Sequence, residues 1–290
     1  PFFGRFWDES GEIKGYGISL NKVNELIEQY DSEITYDETR QSPKVTITVT
    51  EGDEVYLSGK LLEPGEYTIW YENDESIKSK LRLVQKYDIK GTASWSLGQE
   101  DESVWDYYSL WLNGQYFSDT QGHWAAEAIL NMEEKGWMNG TSNVTFSPDE
   151  SLTRAQGAAI LVRALGLEGN DNSSSSFTDV GEGHWAKNEI EIAAEYGIVT
   201  GYEDGSYRPE KAITREEMAV MLDRILSLSG NTGNGLDYND VDNNRWSFDA
   251  ISKMTYNGVF NGFEDNTFRP TENITRAQMA VLMDRIADDI

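Results

Sequence analysis

The sequence predicts a multidomain protein in which a mixed α/β part is followed by a mainly α-helical repeat region. Three observations support this fold class. Three segments of residues 116–290 share the same spacing of Trp, Gly, Pro and Arg. Alternating apolar and polar residues in the first 115 residues predict antiparallel strands. The chain has 290 residues, which is long enough for two or more hydrophobic cores.

Residues 1–115 are predicted to mix helices with strands. Segments 19–30 and 75–87 have the apolar spacing of amphipathic helices. Antiparallel strands are expected at three segments, namely 44–50, 53–59 and 66–72. Residues 89–97, IKGTASWSL, are expected to form a short buried strand. A helix that leads into such a strand is typical of the end of an α/β barrel.

The repeat region is defined by four residue types that recur in the same order with the same spacing. They are Trp124, Gly140, Pro148 and Arg154; Trp185, Gly201, Pro209 and Arg215; and Trp246, Gly262, Pro270 and Arg276. Such self-similarity predicts a repeat architecture. We expect one helix near each Trp, then a loop, then a second helix.

The second helix of each repeat is predicted to begin with a capping box, in which a Thr is followed three residues later by Gln or Glu. The residue after the Thr is Arg154, Arg215 or Arg276. Capping does not require this Arg, and the helix dipole disfavours a cation there. An Arg beside exposed helix N–H groups is suited to a carboxylate or phosphate. We therefore expect these arginines to bind an anion, and their loss to leave folding almost unchanged.

Composition and local motifs exclude several classes of function. The net charge of −27 argues against binding to nucleic acid or acidic lipid surfaces. The absence of Cys excludes disulfides and thiolate metal sites. No cofactor motif is present, and no apolar run approaches the ~20 residues of a membrane span. The start, PFFGRFWDES, has neither an initiator Met nor a signal peptide, so we expect a piece of a longer protein.

The motifs HWA, TGYEDGSYRPEKAITREE and NGFEDNTFRPTENITRAQ closely resemble S-layer homology domains, at 116–168, 176–228 and 237–290. The resemblance implies a pseudo-threefold unit with grooves between neighbouring repeats. It implies an extracellular protein that binds the secondary cell-wall polysaccharide of Gram-positive-type bacteria, often through a pyruvylated sugar whose carboxylate meets the Arg. The glycan-binding residues that it implies are Arg154, Arg215, Arg276, Trp124, Trp185, Trp246, Asp204 and Asp265.

Two questions remain open within the repeats. The Trp residues are equally suited to a core and to a ligand platform, because buried aromatic residues dominate small cores. Repeat one departs from the pattern, since it lacks the Asp-Gly turn and has Ser147 where the others have Arg208 and Arg269. We therefore expect the groove of Arg154 to be the weakest.

The segments PFFGRFW, GYGISL, IWYENDESIKSKL and GTASWSLGQED resemble the C-terminal end of family 18 glycoside hydrolases, of the chitinase-like and spore-cortex-lytic branch. The resemblance covers residues 1–115 and implies part of a (β/α)8-barrel. PFFGR would end barrel strand 7, residues of about 16–70 would form an inserted α+β subdomain, and GTASWSL would be strand 8. Trp95 would form the aromatic floor of the substrate cleft.

The catalytic D-x-x-D-x-D-x-E motif of that family does not occur in the chain. The nearest pattern, DYNDVDNN at 237–244, has Asn244 in place of the acid. The resemblance therefore implies a hydrolase of chitin or peptidoglycan whose catalytic Glu precedes Pro1, and a chain that is inactive alone. The alternative is a surface-display protein that uses a non-catalytic barrel as a scaffold.

Overall fold

The computed structural model describes residues 3–8, 14–57, 59–94, 98–169, 177–226 and 238–290. The chain forms two compact units, so the predicted multidomain organisation is confirmed. The first unit comprises residues 1–118 and 142–144, and the second comprises residues 119–141 and 145–290. Within the described ranges, no helix is long and apolar enough to cross a bilayer. The segments 166–176 and 229–237, whose Gly, Ser and Asn residues predict flexible linkers between the repeats, lie mostly or wholly outside the described residues.

The first unit is built on an antiparallel sheet of five strands with the order β2-β1-β7-β4-β3. A separate two-stranded ribbon joins β5 to β6. The strands are β1 (Phe3–Asp8), β2 (Lys14–Ser19), β3 (Ser32–Asp37), β4 (Ser42–Val49), β5 (Tyr56–Leu57), β6 (Lys60–Leu61) and β7 (Gly65–Trp70). The strands predicted at 44–50 and 66–72 are therefore confirmed, whereas the one predicted at 53–59 is reduced to the two residues of β5.

The described part of this unit contains the helices α1 (Leu20–Gln29), α2 (Asp74–Lys86) and α3 (Val104–Leu112). The first two match the predicted amphipathic helices. Val23 and Leu26 of α1 are buried in one core with Val45, Ile47 and Ile69 of the sheet. Because Val45 and Ile47 alternate along β4 with less buried Lys and Thr residues, this face of the sheet is the apolar one.

The strand predicted at 89–97 is wrong for its described part. Residues 89–94 belong to no strand, and residues 89–93 are exposed. A strand needs a hydrogen-bonded neighbour, and β1 to β4 and β7 already pair with one another in a single sheet. Trp95, the predicted floor of a substrate cleft, lies outside the described residues. The predicted barrel is thus not confirmed.

Each repeat of the second unit contains the two predicted helices. They are α4 (Ala126–Glu134) and α5 (Arg154–Ala164), α6 (Lys187–Glu195) and α7 (Arg215–Ile225), and α8 (Phe248–Tyr256) and α9 (Arg276–Arg285). The second helix of every repeat begins with the predicted capping box. The pairs are Thr153 with Gln156, Thr214 with Glu217, and Thr275 with Gln278.

The three repeats close into a ring. The second helix of each repeat packs on the first helix of the next: α5 on α6, α7 on α8, and α9 on α4. At the centre, Leu152 N–H donates to the Ile274 carbonyl at 2.9 Å, Ile274 N–H to Ile213 at 3.0 Å, and Ile213 N–H to Leu152 at 2.9 Å. All three residues are fully buried. This closed triangle marks a pseudo-threefold axis, with each repeat bonded to both of its neighbours.

Candidate functional site: the grooves between the repeats

A repeated Asp shapes the loop between the two helices of each repeat. Asp179 accepts hydrogen bonds from the backbone N–H groups of Tyr207 and Arg208, both at 2.7 Å. Asp240 does the same for Phe268 and Arg269, both at 2.8 Å. Arg208 and Arg269 have φ of 58°, a left-handed conformation that is unfavourable for a residue with a Cβ. The Asp carboxylate therefore holds the loop in a strained conformation.

The repeated Gly is explained by a close approach of side chain and backbone. A Cβ at Gly201 would lie 2.6 Å from the Phe177 ring, and one at Gly262 would lie 2.1 Å from the Tyr238 ring. No other residue fits these positions without displacing the aromatic ring. The loop is therefore held against the aromatic residue that opens the repeat, and its backbone carbonyls have fixed positions.

The three arginines cross from one repeat to the next. Arg154 donates from Nε to the Tyr207 carbonyl at 2.9 Å and from Nη2 to the Thr200 carbonyl at 3.1 Å. Arg215 bonds the Phe268 and Asn261 carbonyls at 2.7 and 3.1 Å. In the same way, Arg276 bonds the Phe146 and Asn139 carbonyls at 2.8 and 2.7 Å. The guanidinium groups therefore tie the ring together, each by two of its three nitrogens.

This arrangement corrects the expectation that the arginines serve a ligand and not the fold. Arg154, Arg215 and Arg276 are 8, 4 and 5% exposed as whole residues. The helix N–H groups that were expected to face a ligand are also occupied. Arg215 N–H donates to the Glu272 carbonyl and Glu216 N–H to the Pro270 carbonyl, and the other two helices repeat the pattern. Neighbouring carbonyls thus offset the unfavourable position of the cation at the helix start.

Two grooves of similar size lie between the repeats. Groove A, of about 530 Å³, is lined by Arg154, Tyr202, Glu217, Arg224 and Trp246, together with apolar and backbone atoms of repeat two. Groove B, of about 480 Å³, is lined by Arg215, Phe263, Gln278, Arg285 and Trp124, with the corresponding atoms of repeat three. Each groove takes its Arg from the preceding repeat and its Trp from the following one.

The tryptophans are exposed, which decides the question left open by the sequence. Trp124, Trp185 and Trp246 are 66, 56 and 63% exposed. They therefore do not fill a core. Trp124 and Trp246 line grooves B and A, whereas Trp185 lines neither.

Because each Arg reaches into the loop of the next repeat, the irregular loop of repeat one lies in a different groove from the one expected. The loop that faces Arg154 belongs to repeat two, and its Tyr202 forms an aromatic wall of groove A. Phe263 forms the corresponding wall beside Arg215 in groove B. Arg276 instead faces the loop of repeat one, which has Thr141 at the position of that aromatic residue. The departure of repeat one thus concerns the groove of Arg276, not that of Arg154 as expected.

Asp204 and Asp265 support the groove wall but line neither groove. Asp204 accepts from the Ser206 hydroxyl at 2.6 Å and from Arg208 Nη2 at 2.9 Å. These bonds, with that of Ser206 N–H, lower the pKa of Asp204 to about 2. The guanidinium carbon of Arg208 then lies 3.9 Å from the ring centre of Tyr202. Asp265 holds its own Arg, Arg269, over Phe263 in the same way.

The sequence interpretation missed two cations of the grooves. Arg224 Nη1 donates to the Ile198 carbonyl and Arg285 Nη1 to the Val259 carbonyl, each at 2.9 Å. Both lie in the last turn of a second helix, where the dipole favours a cation. Their equivalent positions in α7 and α9 are a repeat signal that could have identified them. Among the described residues, no group of His, Asp or Glu could hold a metal ion.

Comparison with known proteins identifies the repeats. The family model of the S-layer homology domain matches residues 116–158, 176–219 and 237–280. A cellulosome-anchoring protein of Acetivibrio thermocellus is 32% identical over 160 residues, 53% of this chain and 36% of that protein. An endoglucanase of a Bacillus species is 38% identical over 173 residues, 57% of this chain and 18% of that protein. The chain thus spans well under half the length of these relatives.

A similarity to a solved structure concerns a chitinase from Chromobacterium violaceum. It covers 40% of this chain and 30% of the chitinase, with 23% identity and a TM-score of 0.31. A TM-score at this level does not establish the barrel for residues 1–115. The family match and the ring geometry concern the second unit alone. The chain therefore carries three S-layer homology domains, which are domains of the bacterial cell surface.

Proposed function

We propose that the second unit anchors the chain to the cell wall by binding an anionic secondary cell-wall polysaccharide in grooves A and B. The observation that carries this proposal is the pairing, in each groove, of an exposed indole with a guanidinium. Indole faces suit the apolar faces of sugar rings, and Arg suits a carboxylate. The acidic group that we favour is the ketal of pyruvate on a sugar.

The geometry leaves one nitrogen of each guanidinium for this purpose. Nε and Nη2 of Arg154 and Arg215 bond backbone carbonyls, so Nη1 is the nitrogen without a carbonyl partner; in groove A it lies 3.8 Å from Glu217 Oε1. The fixed carbonyls orient the guanidinium before a ligand arrives. Preorganisation of this kind reduces the entropy lost on binding.

The test is co-sedimentation of residues 1–290 with purified wall polysaccharide. Trp124→Ala and Trp246→Ala should each weaken binding at least severalfold, because each removes an indole platform from one groove. Trp105→Ala is the matched control, since this Trp is 43% exposed and belongs to the first unit. Removal of the acidic substituents should weaken binding of the parent. Equal binding by the parent and both groove variants would refute the proposal.

For the first unit, we propose that it belongs to a glycoside hydrolase that acts on chitin or peptidoglycan. The support is the resemblance of its motifs, together with the endoglucanase among the relatives of the repeats. The alternative is a non-catalytic scaffold, which the cellulosome-anchoring relative favours. Residues 1–290 alone should release no product from chitin oligomers or peptidoglycan. Turnover that is lost on mutation of a residue within this range would refute the placement of the catalytic Glu outside it.

A further inference from the structure

Grooves A and B differ in charge at one equivalent position. The third residue of α7 is Glu217, which lines groove A, and the third residue of α9 is Gln278, which lines groove B. The two side chains have almost the same size and perform the same capping bond. Glu217 Oε2 accepts from Thr214 N–H at 2.8 Å, and Gln278 Oε1 accepts from Thr275 N–H at 3.3 Å.

In groove A, the carboxylate of Glu217 faces the nitrogen that a ligand would use. Glu217 Oε1 lies 3.8 Å from Arg154 Nη1. It also lies 3.3 Å from the Nζ of Lys211, a side chain that is 43% exposed. The positive charge of Arg154 therefore already has an acidic partner within the chain. An incoming carboxylate would have to approach Glu217 and would meet repulsion from a like charge.

In groove B, the lining formed by the described residues contains no carboxylate. Arg215 and Arg285 supply two positive charges to it. Burial lowers the pKa of Arg215 to about 10, because its charge is desolvated, and the carboxylates of Glu272 and Asp240 offset this only in part. A bound anion would offset it further. An anion in groove B would thus meet two guanidinium groups and no carboxylate of the lining, whereas an anion in groove A would meet Glu217.

We infer that the acidic sugar binds in groove B, and that Gln278 in place of Glu selects it; groove A takes a neutral part of the glycan. This inference rests on the proposed glycan binding and names the residue that determines which groove binds the acidic sugar. It makes Gln278 and Glu217 specificity-determining residues, although neither belongs to the pattern of Trp and Arg that marks the repeats.

The experiment exchanges the two residues in the chain 1–290 and measures calorimetric binding of two probes. The first probe is the methyl glycoside of a hexose that carries a pyruvate ketal, and the second is the methyl ester of the same ketal, which is neutral. We expect one site for the acid in the parent. Gln278→Glu should weaken that site at least about tenfold, because it places a carboxylate beside the ligand. Glu217→Gln should add a second site for the acid.

Both variants should fold as the parent does, because each copies a capping residue that the chain already uses at the equivalent position. Thermal melts check this. An affinity for the acid that Gln278→Glu leaves unchanged would overturn the inference, as would equal affinities for acid and ester. Retained polysaccharide binding in that case would leave the proposed function standing. A parent that binds neither probe nor polysaccharide would overturn both.

Discussion

Replacement of Arg215 by Ala tests whether the arginines hold the ring together. The side chain bonds two carbonyls of repeat three and is 4% exposed. The guanidinium carbon also lies 4.7 and 4.8 Å from the ring centres of Phe268 and Phe263. Truncation would leave both carbonyls without their donor. We therefore expect Arg215→Ala to destabilise the repeat unit, not to leave it unchanged as the sequence suggested.

The magnitude follows from two opposing effects. Each hydrogen bond to a charged group contributes about 1.5–3 kcal/mol, so the two together contribute about 3–6 kcal/mol. Burial lowers the pKa of Arg215 from its ordinary value to about 10, so truncation relieves a cost on the order of 3 kcal/mol. The net loss of unfolding free energy is then about 0–3 kcal/mol. The unfolding free energy of Arg215→Lys should lie between those of the parent and of Arg215→Ala, since Lys keeps the charge but lacks the planar guanidinium.

Urea unfolding followed by Trp fluorescence measures the loss. Hydrogen exchange, followed in peptides from the three repeats, measures the stability of the second unit separately from that of the first. Arg163→Ala is the control, because this Arg makes one partly exposed ion pair with Glu189 at 3.4 Å, and should cost less than about 1 kcal/mol. An Arg215→Ala chain as stable as the control, yet unable to bind polysaccharide, would show that the Arg serves only the ligand.

Three further predictions concern the frame around the grooves. Asp179→Ala should cost about 3–6 kcal/mol in the same unfolding assay, because two backbone N–H groups lose a charged acceptor; a negligible loss would refute its role in the loop. Arg245→Ala should cost about 3–5 kcal/mol, since it leaves buried Glu216 without its two-pronged partner. The double change Glu216→Ala/Arg245→His should recover most of the lost unfolding free energy, because the other repeats have Ala and His at the equivalent positions. A double variant as unstable as Arg245→Ala would contradict this. Asp204 should titrate near pH 2 by NMR, so that its stabilising effect is present above pH 3.8 and is lost as the pH falls through 2; a pKa near 3.8 would contradict the loop geometry.

The elements that the sequence predicted well are those set by local residues. The capping boxes and the helices α1, α2 and α4 to α9 follow from neighbours a few positions apart. Helix α3 was missed because Ser103 makes no capping bond and the segment VWDYYSLWL has apolar residues on most sides. The strand expected at 89–97 is absent from its described residues 89–94, because a strand depends on a partner elsewhere in the chain.

The grooves were predictable only in part, for the same reason. The residue types were identified, but their grouping depends on the closure of the ring. Arg215 belongs to repeat two, Trp124 to repeat one and Gln278 to repeat three, yet all three line groove B. No pattern within one repeat indicates that the Arg reaches forward to the next loop. The assignment of the irregular loop to Arg154 failed on this point.

The most direct test of the composite grooves is a double-mutant cycle on polysaccharide binding by the chain 1–290. Trp124→Ala and Trp246→Ala are each combined with Gln278→Glu. Trp246 lies in the same repeat as Gln278, whereas Trp124 lies in the same groove. Residues that share a ligand are coupled and distant ones are additive. We predict coupling between Trp124 and Gln278 and additivity between Trp246 and Gln278; the reverse result would contradict grooves built from three repeats.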